Sequence, residues 1–171
     1  MGQFCADINN STGKFVLSPL IQSSTQGNYD VVIVQNNFAS GIVRSVPVIV
    51  NTTTAVSAST APITLPASTT STVSGTVTAS ANAFMRALQT VDANAYEITA
   101  INANMDTGAY ALNVPTAAPI VGTYSGSLPV ALAAAPTAAG QYTIEADAAS
   151  GATQSTNVNA TTSQSNVNFT F

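Results

Sequence analysis

The chain alternates between apolar and small or polar residues. In AYALNVP the apolar positions are Tyr110, Leu112 and Val114, and in QYTIEAD they are Tyr142, Ile144 and Ala146. SVPVIV repeats the pattern with Val46, Val48 and Val50, and NVNFTF with Val167, Phe169 and Phe171. A period of two places successive side chains on opposite faces of a pleated strand, so each run predicts a strand with one buried face. Val, Thr, Ile, Tyr and Phe dominate these runs, as a half-buried pleated surface favours. Turn-forming clusters separate them: STG at 11–13, QGN at 26–28, ASG at 39–41, DTG at 106–108 and ASG at 149–151. ANAFMRALQTVDANAYEI has a helix-like composition but no apolar stripe, and Asp92-Ala93-Asn94 carries a turn signal. It therefore predicts two strands. VALAAAPTAAG is a second helix-like stretch, interrupted by Pro136.

The order of these signals repeats. Thr12, Gly13, Phe15 and Leu17 of STGKFVLSP fall on Thr107, Gly108, Tyr110 and Leu112 of DTGAYALNVP. GNYDVVI (27–33) falls on GQYTIEA (140–146), which matches Tyr29 to Tyr142, and ASG (39–41) falls on ASG (149–151). Val48 with the following NTTT matches Val158 with NATT, and ITL (63–65) matches FTF (169–171). The repeat predicts an incomplete β-sandwich unit over residues 1–65, a Ser/Thr linker over 66–71 and a complete unit over 72–171. The first unit lacks a counterpart of about two strands, those of 72–97. The second carries an insertion, TAAPIVGTYSGSLPVALAAAPTA, where the first has only LIQSSTQ. The expected fold is all-β: two Ig-like or transthyretin-like antiparallel β-sandwich units in tandem, the first incomplete.

Composition narrows the function. Of the 171 residues, 46% are hydrophobic and 6% charged, against about 25% charged in an ordinary soluble domain. The surface must then consist largely of Ser, Thr, Asn, Gln and Ala, which suits an extracellular protein or one packed in many copies. The net charge is −4 and the only cations are Lys14, Arg44 and Arg86. Nucleic acid needs several cations on one face and is excluded as a partner. An anionic membrane surface is excluded on the same ground. No apolar run reaches the roughly 20 residues of a membrane-spanning helix. The opening MGQFCADINN lacks the apolar stretch of a secretory signal, so for an exported chain the signal is expected upstream or already removed. Cys5 reads first as a small buried hydrophobe in a strand and second as an intermolecular disulfide partner.

The second unit resembles the carboxypeptidase-regulatory-like, or transthyretin-like, β-sandwich repeats of bacterial secreted proteins. VSGTV (73–77), MRALQTV (85–91), DTGAYALNVP (106–115) and GQYTIEADA (140–148) carry the resemblance. It implies a spacer, surface module or adhesion stalk. Pilin-like relatives of such domains form Lys–Asn isopeptide bonds. The second unit has no Lys and Lys14 falls in the wrong strand, so no such bond is expected.

Candidate chemistry is sparse. The chain has no His, so neither a Ser-His-Asp nor a Cys-His arrangement can form. Glu145 and Asp147 share one strand face, where they read as solvated acids rather than a catalytic pair. NANMD (102–106) with Glu97 offers oxygen ligands but not the spacing of a calcium loop. Asp106 reads instead as an Asx-type turn former before Gly108. Tyr29, Tyr110 and Tyr142 recur at matched strand positions and read as core anchors more readily than as a sugar-stacking platform. Asn51, Asn159 and Asn168 begin Asn-x-Ser/Thr triplets that a Thr- and Asn-rich chain contains by composition. No enzyme, metal or cofactor is expected.

A sandwich short of strands leaves an apolar groove and unpaired backbone groups. A buried amide without a partner costs about 1–3 kcal/mol, and an open edge invites another strand. Three resolutions are open: the first unit is a fragment, packs its edge on the second unit, or receives a strand from another subunit. The alternating segments QFCADI and NVNFTF are candidate donors, giving Phe4, Cys5, Ile8, Val167, Phe169 and Phe171 as assembly residues. The expected role is a non-enzymatic subunit of an extracellular or cell-surface filament or stalk, a homo-oligomer built by strand complementation between subunits. The alternative is an adhesin or carbohydrate-binding module with a glycan ligand met by an exposed tyrosine such as Tyr124.

Overall fold

The computed structural model describes residues 6, 9, 15–16, 26–49, 52–58, 61–79, 82–135 and 139–171. The described residues are all-β, with no helix. Strands run β1 (Gln26–Ile33), β2 (Gly41–Ile49), β3 (Thr70–Thr78), β4 (Phe84–Val91), β5 (Asn94–Asn102), β6 (Ala109–Pro115), β7 (Ile120–Thr123), β8 (Ala133–Ala134), β9 (Gln141–Asp147), β10 (Thr153–Asn159) and β11 (Phe169–Thr170). They form three sheets, in the orders β1-β2-β7-β8, β10-β9-β4-β5 and β11-β3-β6.

The alternating runs form strands whose buried faces are the apolar ones. Tyr110, Leu112 and Val114 of β6 are buried while Ala109, Ala111 and Asn113 are exposed. In β9 the buried residues are Tyr142, Ile144 and Ala146. The helix-like stretch 82–98 is the hairpin β4–β5. Its two turn residues, Asp92 (φ 48°) and Ala93 (φ 65°), are both left-handed, the backbone that matches a two-residue turn to the twist of its strands. The large apolar core lies between β10-β9-β4-β5 and β11-β3-β6, and includes Val73, Val77, Met85, Ala87, Tyr96, Ile98, Tyr110, Leu112, Ile144 and Phe169. Two sheets closed on one core are consistent with a β-sandwich.

The purely antiparallel expectation is corrected at two places. β2 pairs with β7 in parallel, Gly41 opposite Ile120 through Arg44 opposite Thr123. β11 pairs with β3 in parallel, Phe169 opposite Val77. The first of these pairings gives the insertion its place. Its segment 120–123 becomes a strand on the edge of β2, in a sheet that begins in the first part of the chain.

That sheet is apolar on both faces. Ile42, Val32 and Val121 pack against the large core. On the other face Val43 and Val46 join Val56 and Val130 in a smaller cluster, with Phe15, Val31, Ile33, Ile63, Tyr124 and Leu132 around it. A strand covered on both sides needs a continuous apolar run rather than alternation, and VVI (31–33) and IV (42–43) supply one. The segment expected as a linker is bonded to this region: Ala39 N–H donates to Pro66 O (2.9 Å) and Ser68 N–H to Asn37 O (2.9 Å).

A bulge decides which residues face one another in the first hairpin. The β1–β2 register shifts between Tyr29 and Val31, where Ser45 is left-handed (φ 57°) and its N–H donates to Asp30 Oδ1 (2.9 Å). Tyr29 therefore pairs with Val46, as Tyr142 pairs with Val158. Val46, not Val48, is thus the pairing equivalent of Val158. The bulge also turns Arg44 toward the β4–β5 hairpin. Its guanidinium donates to Asp92 Oδ2 (2.7 Å), Val91 O (3.1 Å) and the Tyr96 hydroxyl (3.1 Å). Tyr96 in turn donates to Asp30 Oδ2 (2.8 Å). One cation thus joins β1, β2, β4 and β5. Close by, fully buried Ser40 donates to Gln89 Oε1 (2.6 Å). Gln89 Nε2 has no hydrogen-bond partner among the described residues.

Candidate functional site

The last strand lies in a groove whose shape starts from one residue. Gly75 stands on the inward-facing row of β3 between buried Val73 and Val77. A Cβ there would lie 2.0 Å from Val167 O and 2.6 Å from Val167 C, closer than any real side chain approaches. The missing side chain admits the Val167 carbonyl, and Tyr110, opposite Gly75 on β6, donates its hydroxyl to that carbonyl (2.5 Å). The Tyr110 and Phe169 rings lie 6.4 Å apart at 43°. Phe169 is 4% exposed, and Val167 and Phe171 are half-buried against the same core.

Backbone bonding of this strand is discontinuous. Gln164 N–H donates to Thr72 O and Ser74 N–H to Gln164 O, both at 2.9 Å, and Val167 N–H donates to Ser74 O at 3.1 Å. The ladder is interrupted around left-handed Asn166 (φ 60°). Asn168 Oδ1 takes over, accepting from Thr76 N–H (2.9 Å) and Thr76 Oγ1 (3.1 Å). Regular pairing resumes with Phe171 N–H to Thr78 O (3.2 Å), and Gln154 Nε2 donates to Thr170 O (2.5 Å). The segment is thus held by an aromatic anchor, side-chain bonds from Tyr110, Thr76 and Gln154, and a short, interrupted ladder.

Of the expected assembly residues, Val167, Phe169 and Phe171 gather here, against β3 of their own chain. Phe4, Cys5 and Ile8 lie outside the described residues, as do Lys14 and Asn51. Two tyrosines sit in the core as anchors: Tyr110 and Tyr142 are buried, and Tyr142 donates to Pro115 O (2.8 Å). Their rings are inaccessible for stacking on a sugar. Tyr29 is half-buried, and Tyr124, expected at the surface, is half-buried against the smaller cluster. Burial pushes the phenols of Tyr110 and Tyr142 well above their ordinary value near 10. Tyr96 is raised by burial and then by the Asp30 carboxylate it bonds. The folded state therefore keeps these protons at pH values where the unfolded chain loses them. Their contribution to stability is complete below about pH 10 and falls as the pH rises above it, by up to about 1.4 kcal/mol per pH unit for each buried tyrosine. Urea midpoints should drop steadily between about pH 10 and about pH 11. A flat profile there would contradict the assignment.

The acids also depart from expectation. Glu145 and Asp147 are not simply solvated: both accept from Arg86 of the neighbouring β4, Asp147 at 2.6 Å. Thr153 also donates to Asp147 (2.7 Å). A cation between two carboxylates on an outward sheet face makes a structural tie rather than an acid–base pair. The turn before Gly108 is formed by Asn104, not Asp106: Asn104 Oδ1 accepts from Asp106 N–H and Thr107 N–H, both at 2.9 Å. Asn and Asp make this turn by the same chemistry, so composition alone could not choose between them. Among the described residues no three His, Cys, Asp or Glu side chains converge as a metal site. A groove of about 480 Å³ between β5 and β6, lined by Ile101, Asn104, Thr107 and Tyr110 among others, holds no charged residue. Compared with protein-family models, curated proteins and solved structures, the chain matches none of them.

Proposed function

We propose that the chain is a non-enzymatic extracellular structural protein, a subunit of a surface filament or stalk assembled by β-strand complementation between copies. One observation carries the reading. In two of the three sheets a short strand from a remote part of the sequence pairs in parallel: β7 between β2 and β8, and the last strand at the edge of β3. Neither depends on a covalent bond, and an identical segment from another copy would meet the same groove. Sheet edges that accept added strands are a recurrent means of joining chains. A low-charge surface favours this by limiting repulsion between copies.

Sedimentation over a wide concentration range, with negative-stain imaging of the same samples, tests the proposal. Mass should rise with concentration and the particles should elongate in one direction. A single monomer mass at every concentration would refute it.

A further inference from the structure

We propose that the element exchanged between copies is the last strand, residues 164–171, seated in the Gly75–Tyr110 groove of the next copy; this rests on the assembly reading above. The occupant of the groove is given by the chain itself. The same eight positions fill it in cis, so a second copy's strand offers the identical Phe169 anchor, Val167 carbonyl and Asn168 amide.

Attachment distinguishes this strand from β7. β7 lies in a sheet apolar on both faces: Ile120 is buried, and Val121 packs on the large core. Its ends are fixed by Ile120 N–H to Ser40 O and Tyr124 N–H to Arg44 O, both at 2.9 Å. Releasing it would open both clusters. The last strand leaves the fold across an exposed hinge instead. Ala160 is fully buried and fastened by its N–H to Gly140 O (2.7 Å) and by Ser71 Oγ to its carbonyl (2.6 Å). Thr161, Thr162 and Ser163 after it are exposed. From that fixed point, residues 161–171 extended at about 3.3 Å each reach roughly 36 Å, enough to enter an adjacent copy. The strand makes the same interactions in trans as in cis, so the balance between the two is set by concentration and hinge geometry. Each copy then carries one donor and one seat. Such head-to-tail pairing builds an open row rather than a closed pair.

The side chains of Thr78 and Thr170 mark the seat, with their Oγ1 atoms 2.9 Å apart. We would place Thr78→Cys on one chain and Thr170→Cys on another, both carrying Cys5→Ser, and oxidise the mixture at concentrations where assembly is measured. A disulfide joining the two chains forms only if the strand of one lies in the groove of the other. The expected result is a cross-linked pair well above that given by Ser155→Cys in place of Thr170→Cys, since Ser155 is exposed on β10 and faces the opposite side of that strand from Gln154, which reaches Thr170. Adding Gly75→Ala to the Thr78→Cys chain should reduce the yield at least about tenfold, because the new Cβ occupies the place of the Val167 carbonyl. Tyr110→Phe keeps the ring and removes only the hydroxyl. It loosens the strand in cis and in trans alike, so it should hasten the cross-link's appearance severalfold without lowering its final yield, and an unchanged rate would count against the exchange even if Gly75→Ala fails to fold. Multimers without the cross-link would overturn this assignment and leave the filament reading intact. Monomers without the cross-link would overturn both.

Discussion

Replacing Gly108 by alanine is expected to lower the folding free energy by about 3 kcal/mol or more. Two effects add. Gly108 is left-handed (φ 67°), a conformation that costs a residue with a Cβ about 1 kcal/mol or more. The added Cβ would also lie 2.0 Å from Val77 O, and backbone cannot move aside as a flexible side chain can. Gly108 is tied on both sides, its N–H donating to Asn104 O (2.8 Å) and its carbonyl accepting from Val77 N–H (2.9 Å), so relief would break the β5–β6 turn or its dock on β3. Gly126 separates the two contributions. It too is left-handed (φ 86°), but nothing lies within 4 Å of its Cβ position. Gly126→Ala should cost about 1 kcal/mol, and the difference between the variants in urea denaturation measures the clash alone. Equal losses would mean that the turn has room to shift.

Phe169→Ala is expected to cost about 3–5 kcal/mol, the range for emptying a buried aromatic site. Phe169 is 4% exposed and packs with Tyr110 and the β3 row. The neighbourhood cannot readily collapse into the space, because Gly75 beside it already admits a backbone carbonyl. The loss has a second consequence. Without its anchor, the interrupted ladder of 164–171 should open before the rest of the sandwich does. Limited proteolysis should then cut within the last strand at denaturant concentrations where the core remains folded. A loss below about 1 kcal/mol would mean that the strand is held chiefly by its polar contacts.

How much of this was legible in the sequence depended on distance along the chain. Alternation placed β6, β9 and the second half of β2, and Asp92-Ala93-Asn94 marked the β4–β5 turn, because period and turn chemistry are local. The parallel pairing of 120–123 with 41–44 was not legible: four residues are too few to show a period, and nothing local to IVGT names β2 as its partner. The Val46 pairing was missed for a related reason: matching NTTT to NATT aligned the residues after each strand and set Val48 on Val158, two positions from the residue that faces Tyr29. The one-residue bulge at Ser45 was likewise invisible, because alternation cannot register an insertion that its own pattern does not contain. At the candidate site, Val167, Phe169 and Phe171 were found by alternation. Gly75 appeared only as part of VSGTV, although it decides whether the last strand can enter. Its role is a close approach between backbones some 90 residues apart, which no single strand pattern records. Arg44 was counted as a scarce cation, but its three partners come together only in the folded chain.

The pairing of Gly41 with Ile120 also sets a timetable. During synthesis, β1 and β2 leave the ribosome long before their neighbour exists. At about 5–20 residues per second, the 79 positions from Gly41 to Ile120 take roughly 4–16 s to make. Throughout that interval a nascent hairpin with apolar residues on both faces and an unpaired edge must remain soluble. A holding factor or slow pairing with another nascent chain would act in that window, before the protein has made the strand that covers this edge of β2.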